Sequence, residues 1–566
     1  MQVSDGAQVG ASTFGAGNAG SLTVRAKNVE LIGTSPGGFP SGLLANVEQG
    51  STGNGGNLVV QSDRLRITDG AQVSAGTFGS GSAGNLTVRA KDVEAIGIST
   101  AGPSGLFTPS ADTGNGGTLT VDTQRLRVVD GAQIAVSTAG SGNGGDLILR
   151  ASDSVELIGT SPFGRSGLFA NAIIGTGNGG NLRISTDKLI IRDGAIISAS
   201  NFSSLNPDIP PGQGKAGNIQ VQADSILLDT LSDTPSNITA STDSGGGGNI
   251  FLAARNITAR NGSQIKAETL GSGDGGSVNI TTDSLDLISR AQISTNSTQS
   301  GQAGNITISA DRIQTRRGEI TATSTQTGGG DINLATHLLL LNQSLISTSV
   351  LDSTGGGGNI TIDADSIVAS QNSNIQANAV FGAGGNIQIS STGLFLSPNS
   401  RITASSNFGV DGVVDIQSPE VDPSSSVVIL PHKVVDVSGL VAQGCDSRSK
   451  QASSQFIITG RGGLPPNPGG ILNSETVLAD LGSTPVQTGR RSGNTISTLK
   501  NTSFTQIVEA QGLVMTDNGQ VLLTAFAPRV TPYSPMLTPT SCLLKSRGSS
   551  GEKYAVNTPP LSARPQ

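Results

Sequence analysis

The sequence predicts an all-β fold: a right-handed parallel β-helix of about fourteen coils, followed by a Gly/Pro/Ser-rich C-terminal region with a β-hairpin. Three observations carry this. Gly supplies 79 of 566 residues, while charged residues are 13% and aromatics 3%, with no Trp. Such a chain suits a thin core repeated many times better than several thick globular ones. A Gly–polar–apolar–x–apolar pattern begins at Gly20, Gly56, Gly84, Gly117, Gly145, Gly180, Gly217, Gly248, Gly276, Gly304, Gly330, Gly358, Gly385 and Gly412. The intervals run from 26 to 37 residues around a base near 28, which is the mark of a solenoid.

The first element of each coil follows its marker glycine. Leu, Ile or Val stands after the Gly–polar pair in all fourteen copies, from Leu22 and Leu58 to Ile387 and Val414, and again two residues on. Period 2 reads as a strand with one buried face. A second strand follows seven residues later (Val29, Leu65, Val93, Leu126, Leu189). A third comes at fourteen or fifteen (Val73, Ile134, Ile197, Ile265, Ile293, Ile320, Ile346, Ile375, Ile402). Gly, Asp and Asn separate the runs as turn residues. One coil cannot bury its apolar face alone, but stacked coils can, and at about 4.8 Å per coil they give a rod of about 65 Å.

The marker glycines are expected to supply unusual backbone angles at a corner. Asn follows eight of them, at Asn57, Asn85, Asn181, Asn218, Asn249, Asn305, Asn359 and Asn386. These are expected to form a structural ladder, each side-chain amide bonding to its equivalent one coil away.

A longer period overlays the first. Asp-Gly-Ala recurs at Asp5, Asp69, Asp130 and Asp193, spaced 64, 61 and 63. With it recurs Gly33-Thr34-Ser35-Pro36, again at Gly159 and degenerate at Gly97, each time followed by Ser-Gly-Leu (Ser41, Ser104, Ser166). Pro and Gly interrupt a ladder, so these insertions are expected as loops on one side of the rod, where repeat proteins often bind. Their Phe39, Phe107, Phe163 and Phe169 are the candidate ligand contacts; the alternative is that they pack onto the rod beneath.

The domain expectation is a β-helix over 1–441, a Gly/Pro/Ser-rich linker over 442–506, a hairpin segment over 507–527 turning at Asp517-Asn518-Gly519, and a Pro/Ser/Thr-rich tail over 528–566 without regular structure. Cys445 and Cys542 are the only cysteines; one disulfide between them is expected, with two free thiols as the alternative.

Composition also excludes classes. The net charge of −7 and the scarcity of basic clusters argue against nucleic acid. No run approaches about 18 apolar residues, so no transmembrane helix is expected, and no signal peptide is visible at Met1-Gln2-Val3-Ser4. Aspartates recur five residues after the first apolar position, at Asp63, Asp187, Asp224, Asp283, Asp311 and Asp365. Stacking brings Asp187 near Asp224 and Asp283 near Asp311. These are weak candidates for a Ca²⁺ site, but a residue recurring at a strand end reads first as a turn former capping its own backbone. His337 and His432 lie several coils apart, too far to act together. No cofactor, metal or catalytic group is therefore expected. The alternative is a β-helix polysaccharide lyase or glycosidase.

The Gly-Asn-Leu-Thr-Val and Asp-Gly-Ala-Gln-Val repeats resemble filamentous-haemagglutinin-like exoproteins of two-partner secretion systems, of the cyanobacterial type. Phe456-Ile457-Ile458-Thr459-Gly460-Arg461-Gly462-Gly463-Leu464-Pro465 and Ile507-Val508-Glu509-Ala510-Gln511-Gly512-Leu513-Val514 are similar to the closing segments of that group. The resemblance implies a secreted or cell-surface adhesin-like rod, associated with the outer membrane and exported by a partner β-barrel transporter, with a surface or carbohydrate ligand it does not specify. Members of the group begin with a signal peptide and a secretion domain. Neither is visible, so the chain is expected to be a fragment, a truncated gene product or one with a misassigned start.

Overall fold

In the computed structural model the described residues are 1–417, apart from 101, 174, 202–212, 243–244 and 352–354, together with 512–515 and 521–524. The chain divides into two units, Met1–Val434 and Val435–Gln566, against a boundary expected at 441. The second unit contains an antiparallel pair, Gly512–Met515 with Val521–Thr524, inside the segment expected to form a hairpin. Cys445, Cys542 and His432, and all of the linker and tail, lie outside the described residues.

The first unit is a parallel β-helix without helices among its described residues. One sheet stacks sixteen strands in chain order, from Gln2–Ser4 on Asn28–Ile32, with Leu22–Arg25 beside it, through Leu58–Thr68 to Val414–Gln417. A second sheet stacks fourteen strands of three residues, from Gln8–Gly10 to Arg401–Thr403. The third side is a line of single bridges, Thr13 to Val47 to Thr77 to Ser110 and onward. The fourteen sequence copies are fourteen coils.

From Leu58–Thr68 to Ile387–Leu396 the coil differs from expectation on its first two sides, because they form one continuous strand. In Val278–Ile288 the inward residues are Val278, Ile280 and Thr282, then Leu285 and Leu287. The inward parity switches midway because the strand bends there, and pairing skips the sixth residue: Thr186 pairs Ala223 and Lys188 pairs Ser225, leaving out Asp187 and Asp224. From Leu58–Thr68 to Ile360–Ser370 neither Gly nor Pro lies within these strands, so the backbone keeps its ladder through the corner.

The interior holds stacked aliphatics only. Leu58, Val60, Leu65, Ile67 and Val73 of one coil are wholly buried, and so are their equivalents above. Each such side chain contributes about 1.5–3 kcal/mol of burial, set against the ordering of its coil.

The marker glycines are needed for a reason other than the one expected. None has a left-handed φ; from Gly56 on, each packs against its predecessor. A methyl on Gly56, Gly84 or Gly117 would fall 2.0, 2.1 or 1.8 Å from the carbonyl oxygen of Gly20, Gly56 or Gly84. The column at this corner is tight enough to exclude a Cβ.

Candidate functional site

The Asp-Gly-Ala motif forms the turn before the first, third, fifth and seventh strands of the second sheet, Gln8–Gly10, Gln72–Ser74, Gln133–Ala135 and Ile196–Ser198. Its Asp and Gly both adopt left-handed angles, as at Asp69 (φ 55°) and Gly70 (φ 87°). That pair of angles suits Asp and Gly better than other residues.

On the alternate coils, each Thr-Ser-Pro-type insertion folds into a small antiparallel hairpin. Thr34 bridges Pro40, Ile98–Ser99 pairs Gly102–Pro103, and Thr160–Ser161 pairs Gly164–Arg165. The hairpins precede the second-sheet strands Gly42–Leu44, Gly105–Phe107 and Gly167–Phe169, which are the second, fourth and sixth of that sheet.

Three recurrent bonds pin every hairpin. The buried hydroxyls of Ser41, Ser104 and Ser166 accept the N–H of Gly6, Gly70 and Gly131, each at 2.8 Å. The side-chain amides of Gln8, Gln72 and Gln133 donate to the carbonyls of Pro40, Pro103 and Arg165 at 3.1, 3.4 and 3.4 Å. The N–H groups of Ser41, Ser104 and Ser166 close the base on the carbonyls of Gly33, Gly97 and Gly159 at 2.9, 3.1 and 3.1 Å. A fourth, degenerate copy follows: Ser236 Oγ accepts the Gly194 N–H at 3.2 Å, and Leu231, 75% exposed, donates its N–H to Asp193.

Arg165 adds a clamp to the third hairpin. Its guanidinium donates to the carbonyls of Gly194, Ala195 and Pro235, reaching over two further coils. Burial pushes its pKa down to about 10, because no carboxylate offsets the lost hydration. Its sequence position gave no sign of this role.

The four candidate phenylalanines divide. Phe39 and Phe163 stand on hairpins and are 65% and 74% exposed. Phe107 and Phe169 do not belong to loops. They end second-sheet strands, half-buried, with Phe107 in register between Ser74 and Ala135, and Phe169 between Ala135 and Ser198. The Phe107 ring lies so close over Gly105 that a Cβ there would sit 3.2 Å from Cζ. An aromatic thus covers the surface its neighbouring glycine leaves bare.

The aspartates expected as turn formers sit at the strand bend, and three of the six, Asp63, Asp224 and Asp365, reach across coils rather than back to their own backbone. Asp63 meets Lys91 at 3.0 Å, Asp224 pairs with Arg255, and Asp365 Oδ2 lies 2.8 Å from His337 Nδ1. The Asp365 contact, helped by Asp311, raises the His337 pKa above its ordinary 6.5. Asp187 and Asp224 occupy equivalent positions on adjacent coils, as do Asp283 and Asp311. A shallow groove of about 650 Å³ follows the bend past Arg255, Asp283, Asp311, His337 and Asp365, floored by alanines such as Ala254 and Ala310. Among the described residues no group of three or more His, Cys, Asp or Glu converges to hold a metal ion.

The Asn ladder takes a different form from amide-to-amide stacking. The side-chain oxygen mostly accepts a main-chain N–H of the next coil: Thr118 on Asn85, Asn218 on Asn181, Asn249 on Asn218, Asp331 on Asn305, Asn386 on Asn359 and Val413 on Asn386. Asn249 accepts both N–H and Oγ–H of Ser277. At Asn57 the main-chain carbonyl accepts Leu22 N–H at 2.9 Å. Amide-to-amide bonding occurs as well, between Asn218 Nδ2 and Asn181 Oδ1 at 3.1 Å.

Two ladders went unseen in the sequence. Asn18, Asn54, Asn115, Asn143 and Asn178, three residues before the Asn-ladder position in most copies, accept N–H groups in the same way. On the long-strand face Glu30, Arg66, Glu94, Arg127 and Glu156 alternate in sign coil by coil, at 3.3, 3.2, 3.3 and 3.9 Å. The alternation is readable at the ninth strand position once coils are aligned. Exposed apolar residues also follow the single bridges, at Phe14, Phe78, Leu270 and Leu351.

Compared with family models, curated proteins and solved structures, the chain matches none.

Proposed function

We propose that this protein is a non-catalytic, secreted or surface-associated rod of the filamentous-haemagglutinin-like, two-partner-secretion kind, which makes contact through its hairpin row. The observation that carries the reading is the set of hairpins at Thr34–Pro40, Ile98–Pro103 and Thr160–Arg165, fixed to alternate coils by the same three bonds. Rigid contacts at even spacing bind by summing weak interactions on one extended partner. A partner β-barrel transporter and an extracellular location belong to the same reading.

The recurrence of the bend aspartates favours a non-catalytic rod, since catalytic groups converge at one place. The second reading, a polysaccharide lyase or glycosidase, draws on the groove holding Asp283 and Asp311. Incubating the full chain with insoluble cell-surface material and soluble polysaccharides separates the two. Cosedimentation without new reducing ends or unsaturated products supports the rod; product formation overturns it.

A further inference from the structure

We infer that the hairpin row recognises an uncharged, extended, β-linked polysaccharide whose repeat is a disaccharide. The inference rests on the rod reading above and names its ligand class. Spacing is the first argument. The hairpins belong to every second coil, so they stand about 9.6 Å apart along the rod. In an extended β-linked sugar chain consecutive rings turn over, and the same face returns once per disaccharide. A row stepping by two coils therefore meets equivalent faces of such a chain, whereas a coiled α-linked chain loses register.

Chemistry is the second argument. The hairpin residues Thr34–Pro40, Ile98–Pro103 and Thr160–Gly164 include no charged side chain, and the one adjacent cation, Arg165, is turned onto main-chain carbonyls. What remains is hydroxyls, prolines and the exposed rings of Phe39 and Phe163. Aromatic faces stack on the C–H faces of sugars, and hydroxyls suit a neutral polyol, whereas an anionic polymer would find no counter-charge. Rigidity is the third. Pinned hairpins lose little freedom on binding, so weak contacts add up. Phe39 and Phe163 are four coils apart, about 19 Å, so a ligand must be several sugars long to touch both.

The test is calorimetric titration of the full chain with cellobiose, cellohexaose and maltohexaose. Cellohexaose is expected to bind about tenfold or more tighter than cellobiose, with maltohexaose no better than the dimer. Phe39→Ala and Phe163→Ala should each bring cellohexaose close to cellobiose, while Phe251→Ala, an exposed ring in the long-strand sheet, changes nothing. All three rings are exposed, so unchanged melting curves establish folding. No binding, equal affinity for dimer and hexamer, equal affinity for the α-linked hexamer, or indifference to both hairpin variants overturns the inference. A parallel cosedimentation with cell-surface material separates the failures: retained sedimentation leaves the rod reading standing, and its loss removes both.

Discussion

The main-chain N–H of Gly70 donates to the hydroxyl oxygen of Ser104 at 2.8 Å. This bond joins the two long-period motifs, the Asp-Gly-Ala turn of one coil and the Ser-Gly-Leu strand of the next. Ser104 Oγ in turn donates to the Ile96 carbonyl at 2.8 Å. The same link joins Gly6 to Ser41 and Gly131 to Ser166, so the motifs recur together because they are bonded together. Ser104→Ala leaves the buried Gly70 N–H without a partner, while the Ile96 carbonyl keeps only the Asp69 N–H at 3.2 Å. A loss of about 1–3 kcal/mol is expected, read by urea denaturation and by faster amide exchange at Gly70. Unchanged exchange there contradicts the assignment.

The marker column predicts a larger effect. Gly117→Ala places a methyl 1.8 Å from the Gly84 carbonyl oxygen, and neither backbone can move without unstacking its coil. The loss should lie at the severe end of single substitutions, about 4–5 kcal/mol. Gly15→Ala, with open space around it, is the matched control. Equal melting temperatures for the two variants count against the close-packed corner.

A stabilising change is expected in the C-terminal half. There the Asp-Gly turn is replaced by Ser289-Arg290, with φ of 54° and 66°. Left-handed angles cost a residue with a Cβ about 1–2 kcal/mol, partly offset for Gly by its freer unfolded chain. Arg290→Gly should therefore gain about 0.5–1 kcal/mol. A lower melting temperature would place the strain elsewhere.

His337 offers a pH test. Asp365, with Asp311 beside it, favours the protonated ring and raises the pKa. A group raised on folding adds stability that is complete below the unfolded value near 6.5 and is lost as the pH rises through the folded midpoint. The chain has two His, so the ring is readily assigned by NMR. Its midpoint should lie above 6.5 and fall in Asp365→Asn. A midpoint unmoved by that change sinks the pairing.

Most of the fold was legible because a solenoid repeats its own evidence. The inward positions of Leu58 and Val60 recur at a fixed offset in all fourteen copies, Leu65 nearly so, and Val73 in the nine copies without a long insertion, so many copies vote on each. The continuous long strand was not legible, because the offset of seven between Leu58 and Leu65 fits either two strands with a turn or one strand with a bend. The role of the marker glycines was misread for a related reason: sequence shows that a Cβ is excluded, not whether angle or proximity excludes it. The hairpin positions followed from Pro and Gly in the insertions. Phe107 and Phe169 were misplaced because Gly-Leu of Ser-Gly-Leu already belongs to the next strand, which ends on the Phe and, at Phe107, lays the ring over Gly105. Arg165 and the Glu30–Glu156 alternation depend on which residues meet across coils of unequal length.

The central claim is that the hairpin row is the contact face of the rod. The most direct measurement is cosedimentation of the full chain with insoluble cell-surface material, compared with the Phe39→Ser/Phe163→Ser double variant. The account predicts that the wild-type chain pellets and the variant stays largely in solution with an unchanged melting curve. Equal pelleting of the two would contradict it.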